Sequence, residues 1–64
     1  MTKYTFDIVM HDITEDKEVV HVYSCESSEY YFAFQHAVTY AFNQSDSDHE
    51  VTSVTINSMV NTKI

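Results

Sequence analysis

Seven carboxylates fall in two short polar stretches: Asp12, Glu15, Asp16 and Glu18 in the first, Asp46, Asp48 and Glu50 in the second. The whole chain has ten Asp and Glu against three lysines and no arginine, a net charge of −7 over 64 residues. So negative a chain repels nucleic acid and anionic membrane and is drawn, in a salt-dependent way, to basic surfaces such as the grooves of nucleic-acid enzymes. In an extended segment, Asp46, Asp48 and Glu50 repeat about 6.6–6.8 Å apart, close to the separation of neighbouring phosphates. Solubility explains any one of these acids. It explains the set less well, because no cation is interspersed except Lys17.

Other chemistry has weaker support. Asp46-Ser47-Asp48 with Glu50 offers oxygen ligands, but a calcium loop of the EF-hand kind needs an internal glycine and a glutamate at its twelfth position. This chain has no glycine at all. His11, His21, His36 and His49 fit no zinc spacing, and Cys25, the single cysteine, cannot complete a thiolate site or an internal disulfide. A Cys25–His21 nucleophile pair lacks an oxyanion hole and a third orienting group. The absence of glycine also removes phosphate-cradling loops and the usual nucleophile elbow. The expectation is therefore a protein with no metal, no cofactor and no catalytic residues, too small for an enclosed substrate pocket.

These side chains must be positioned by few elements. Residues 3–11 alternate, with Tyr4, Phe6, Ile8 and Met10 on one face and Thr5, Asp7, Val9 and His11 on the other, which predicts a half-buried strand. Residues 12–17 are turn-like. Residues 18–25 are β-branched and aromatic and predict a second strand of a hairpin; of its two faces, Val20 and Val22 are favoured as inward over Val19, His21 and Tyr23. A helix is expected over about 27–43, capped by Ser24 or Ser27 with Glu26 and Glu29 in its first turn. Its apolar stripe reads Tyr30, Phe34, Ala37, Val38 and Ala41, with Tyr31 and Phe42 on one flank. After the polar 43–48 stretch, residues 50–60 predict a third strand with Val54 and Ile56 inward.

A strand–helix–strand crossover favours parallel alignment of its two strands. The simplest arrangement over residues 1–64 is one α+β domain of ββαβ order, a three-stranded sheet of order 2-1-3 with the first strand central and the helix on one face. In that topology the hairpin turn and the loop before the third strand lie at the same end. Asp12, Glu15, Asp16 and Glu18 then converge with Asp46, Asp48 and Glu50, opposed there only by Lys17. On the helix, Phe32 falls nearly opposite the apolar stripe, with Tyr40 more lateral, and both are candidate contacts for a partner or for a second copy of the chain.

The strand–acidic turn–strand–helix–strand order resembles small phage-encoded host-takeover proteins, among them the T-odd coliphage inhibitors of bacterial RNA polymerase. The shared features are Glu50-Val51-Thr52 after the loop and the Val22-Tyr23 pair that ends the second strand ahead of a helix with an acidic start. Ser53 stands where that family carries an arginine. Phage antitoxin-like proteins share the outline, and anti-CRISPR proteins share the size and acidity. The resemblance implies a non-enzymatic inhibitor acting by nucleic-acid mimicry in the host cytoplasm, on a basic surface of an enzyme such as RNA polymerase, a CRISPR effector or a nuclease. Direct binding to nucleic acid or to membrane is not expected. No apolar run is long enough to span a bilayer, and the first residues lack the apolar core of a signal peptide. The rival expectation is an antitoxin-like or assembly module that dimerises through the exposed helix face and a sheet edge.

Overall fold

Alternation in the first segment is carried through into burial: Tyr4, Phe6, Ile8 and Met10 are all buried, while the residues between them are not. The computed structural model describes residues 1–61. Strand β1 runs Thr2–Asp12, β2 Lys17–Ser27 and β3 His49–Asn61, with helix α1 at Tyr30–Gln44 between the last two. The sheet order is β2-β1-β3, with β1 antiparallel to both neighbours. This is the expected α+β, ββαβ arrangement, and β2 and β3 consequently run parallel to one another.

Strand β2 faces the other way from expectation. Val20 and Val22 are 57% and 63% exposed, whereas Val19, His21, Tyr23 and Cys25 are half-buried. Register is the cause. Cys25, Tyr23, His21 and Val19 lie directly opposite Tyr4, Phe6, Ile8 and Met10, and directly opposed residues share a face of the sheet. The unambiguous alternation of β1 therefore dictates the face of the ambiguous strand beside it.

The ladder also displaces the start of the helix. Lys3 and Thr2 pair with Glu26 and Ser27, so β2 continues two residues past its expected end. Glu29 is the N-cap residue and makes no side-chain cap bond; the helix has no acid in its first turn. Neither Ser24 nor Ser27 caps it. The Ser24 hydroxyl pairs with that of Thr5 across the ladder, and the Ser27 hydroxyl accepts the Glu29 N–H at 3.3 Å.

The helix meets the sheet through Ala33, Ala37 and Ala41, all fully buried. Phe6, Ile8 and Met10 already fill the space from below, so the positions directly above them have to be small. The rings reach down the flanks instead. Tyr30 and Phe34 lie beside Phe6 on one side, with centroids 6.0 and 6.1 Å away, and Tyr40 stacks on Tyr23 at 4.7 Å on the other. The stripe is thus rotated from the Tyr30–Phe34 centre that spacing suggests, and Tyr30 is left 43% exposed.

Strand β3 carries two irregularities against β1, between Val9 and Met10 and between Thr5 and Phe6. Thr52 and Asn57 are the unpaired residues. Each bonds back to β1: the Thr52 hydroxyl donates to the Val9 carbonyl at 3.0 Å, and the Asn57 amide donates to the Asp7 carboxylate at 3.0 Å. Every bulge flips the alternation that follows it. Val51, Val54, Ile56 and Met59 accordingly all lie opposite Met10, Ile8, Phe6 and Tyr4 on the helix side. Val54 packs into both parts of the core; Ile56 is on the expected face, opposite Phe6, but is left 42% exposed.

Fifteen helical residues span about 22 Å, whereas strands of 11 and 13 residues reach about 36–44 Å. The molecule is correspondingly long, 45 × 16 × 14 Å. The helix covers only part of one face of the sheet, and the other face has no element over it among the described residues.

Candidate functional site

The hairpin turn and the 45–49 loop meet at one end of the sheet because β2 and β3 run in the same direction. They are fastened by a backbone bond, Ile13 N–H to the Asp48 carbonyl at 2.8 Å. Asp12, at the end of β1, lies opposite Lys17 on one side and His49 on the other. All seven acids of the two stretches are gathered at this end, as the topology requires.

They are not equivalent. Asp12 is buried, and its carboxylate accepts the N–H groups of Thr14 and Glu15 at 3.0 and 3.1 Å while lying 3.4 Å from His49 Nε2. The backbone bond from Glu15 leads in holding the Asp12 carboxyl below its usual range, with His49 adding to it. Asp46 accepts the Asp48 N–H at 2.8 Å and faces His49 Nδ1 at 2.9 Å. Those bonds, His49 first, depress its pKa as well. Reciprocally, the Asp46 hydrogen bond raises the His49 pKa above the ordinary imidazole value, and the charges of Asp46, Asp12 and Asp48 act in the same direction. Asp12 and Asp46 thus hold the turn and the loop in shape.

The remaining acids point outward. Asp16, at φ 51° in the left-handed region that Asp tolerates, sits 3.2 Å from His11 Nε2. Glu15 pairs with Lys17 at 3.2 Å. Glu18 and Glu50 lie directly opposite His11 from its two sides, making a row Glu18–His11–Glu50 across the open face. Asp48 is exposed at the loop tip.

Two expectations are corrected here. Lys17 is not the only opposing group, since His11 and His49 are both embedded among the acids. Nor do Asp46 and Asp48 lie in an extended segment: a bridge between Asp46 and His49, with backbone bonds in both directions at 3.1 and 3.3 Å, closes a tight turn. The phosphate-like repeat is lost with it.

Of the two aromatic candidates, Phe32 is 47% exposed and lies edge-on to Tyr31, on the outer side of the helix as expected. Tyr40 is half-buried against Tyr23 and contributes to the core. It lines a surface hollow with Tyr23, His36, Thr39 and Asn43, which has no carboxylate in its wall. Burial raises the Tyr23 hydroxyl pKa, and likewise that of the Cys25 thiol, whose Sγ lies 3.8 Å from the Ala33 carbonyl. No group of three or more His, Cys, Asp or Glu among the described residues is arranged to hold a metal ion, and no helix among them is long and apolar enough to cross a membrane.

The histidine placements were within reach of the sequence. His11 ends the β1 alternation two residues after Val9, and His49 follows Asp48 directly, so any topology that gathers the acids gathers these imidazoles too. Comparisons with protein-family models, with curated proteins and with solved structures return no match to this chain.

Proposed function

We propose that this chain is a small non-enzymatic binding protein that docks its acidic end on a basic, nucleic-acid-handling surface of another protein and thereby inhibits it. The observation that carries the reading is the fastening of the turn to the loop, Ile13 N–H to Asp48 carbonyl with His49 between Asp12 and Asp46. It holds Glu18, Asp48 and Glu50 together at one end, beside the Glu15–Lys17 and Asp16–His11 pairs. Preorganised charge of one sign steers encounter and excludes like-charged competitors. A phage origin and a polymerase, CRISPR effector or nuclease as target belong to this reading by resemblance.

The test is capture of the partner from bacterial lysate, followed by kinetics with the purified partner. Charge reversal at Asp48 and Glu50 together lowers the association rate at least ten-fold at low salt, with a smaller effect on dissociation. Short duplex DNA competes for the same surface. Binding that neither DNA nor rising ionic strength weakens refutes the reading.

A second reading is an assembly module. Its support is the helix exterior, where Tyr31, Phe32 and Phe42 are all exposed. Sedimentation across a hundred-fold concentration range distinguishes the two, because only the module dimerises.

A further inference from the structure

The face of the sheet opposite the helix has five cross-strand rows, read from the pairing register: Glu18–His11–Glu50, Val20–Val9–Ser53, Val22–Asp7–Thr55, Ser24–Thr5–Ser58 and Glu26–Lys3–Val60. Its character is the reverse of the covered face. There, large sheet residues meet an alanine stripe; here the sheet presents small Val, Thr and Ser side chains around Val9, Val20 and Val22. A surface of small residues leaves room for large ones on the facing layer. The acids Glu18 and Glu50 border the valines at one end, Glu26 lies at the other, and Asp7 sits in the middle with one of its oxygens held by Asn57.

The charges limit what can cover this face. A second copy stacked by a two-fold axis through the central row would set Asp7 against its own counterpart and join two chains of net charge −7. Nucleic acid and anionic lipid are repelled. A cationic partner is left, and the dimensions favour a helix. Three strands at about 4.8 Å spacing make a strip about 10 Å wide, the diameter of one helix. The distance from Lys3 to His11 along β1, about 27 Å, equals about 18 helical residues.

The geometry points to the open face of the sheet as a docking surface for an amphipathic helix of the partner protein, with a stripe of large aliphatic residues flanked by Lys or Arg. The aliphatic stripe lies over Val9, Val20 and Val22, and the cations meet Glu18 and Glu50 at one end of the valines and Asp7 beside Val22, whereas Glu26 already has Lys3 opposite it. This rests on the reading above of a basic partner and specifies the part of that partner which is bound.

The probe is an 18-residue synthetic peptide with leucine at helix positions i, i+3, i+4 and i+7 and lysine beside them, set against a peptide of the same composition with the order scrambled. Titrated into the isotope-labelled full chain, the amphipathic peptide is expected to shift the amides of Thr5–His11, Val20 and Val22. Val20→Lys and Val22→Lys, at positions already more than half exposed, each weaken it at least ten-fold, and Phe32→Ser leaves it unchanged. Shifts confined to α1 or to the outer strand edges, equal binding of the scrambled peptide, or concentration-dependent shifts of the chain by itself would overturn the inference. Binding lost on reversing Asp48 and Glu50 but indifferent to Val22→Lys refutes the sheet-face site and leaves the acidic-end reading standing. The sheet-face site is supported and the inhibitory reading fails if Val22→Lys abolishes peptide binding while DNA does not compete for the captured partner.

Discussion

Truncating Tyr23 and truncating Val22 are changes one residue apart with opposite expected outcomes. Tyr23 is half-buried, touches both parts of the core and stacks on Tyr40 at 4.7 Å. A tyrosine side chain that buries on the order of 100 Å² of its surface contributes about 2.5 kcal/mol at about 25 cal/mol per Å². The ring pair adds about 0.5–1.5 kcal/mol. Tyr23→Ala should therefore cost about 3–4 kcal/mol, a large part of the total for a domain of this size, which at about 0.05–0.15 kcal/mol per residue is about 3–10 kcal/mol. Val22 is 63% exposed on the open face, and Val22→Ala should cost no more than about 0.5 kcal/mol. Urea unfolding followed by far-UV circular dichroism measures both, with an unchanged slope confirming a common two-state transition. A Tyr23/Tyr40 double-mutant cycle isolates the stacking contribution. If Val22→Ala destabilises as much as Tyr23→Ala, strand β2 faces the other way and both the core and the docking surface described above are wrong.

The imidazole of His49 has a raised pKa, so the stability it contributes is full below about pH 6.5, the unfolded value, and is lost as pH rises through the higher folded value. The difference in melting temperature between the native chain and His49→Gln should shrink between pH 5.5 and 8; a difference that grows with pH contradicts the Asp46–His49–Asp12 arrangement. Asp12 has the opposite sign: its depressed pKa gives stability above about pH 3.8 that is lost as pH falls through the lower folded value, so Asp12→Asn should narrow the gap to wild type in acid titration. Ala37→Leu places a large side chain where the helix rests on Phe6 and should cost about 1–3 kcal/mol in the same urea assay; a neutral result means that the helix stands further from the sheet. Cys25, with its pKa raised by burial, should react with a disulfide reagent at pH 8 at least ten-fold more slowly in the folded chain than in 6 M guanidinium, and equal rates would show the thiol to be open.

A single strand carries most of what could be read in advance. Tyr4, Phe6, Ile8 and Met10 alternate without interruption, and once β1 is central and half-buried, the order of elements and the parallel alignment favoured by a strand–helix–strand crossover leave one simple sheet. The gathering of the acids follows from that topology. Charge and periodicity are properties of the chain itself, and connection rules act on element order without reference to side-chain packing.

Other features depended on contacts between residues far apart in the chain. Val20 and Val22 are as apolar as Val19 and Tyr23, so only pairing with β1 could choose the face of β2. The bulges at Thr52 and Asn57 break the period of two and bring Val51 and Met59 onto the same face as Val54 and Ile56, through bonds to Val9 and Asp7 that lie more than forty positions away in sequence. The helix turned its alanines inward because Phe6, Ile8 and Met10 had already occupied the core. His49 acquired its role by lying between Asp12 and Asp46, which are neighbours only in the folded chain. How much charge there is, which strand is central and at which end the acids collect follow from residue types and element order alone. Tertiary structure decided which acids are tied to histidine and backbone and which remain free, since that depends on hydrogen-bond partners supplied by other elements.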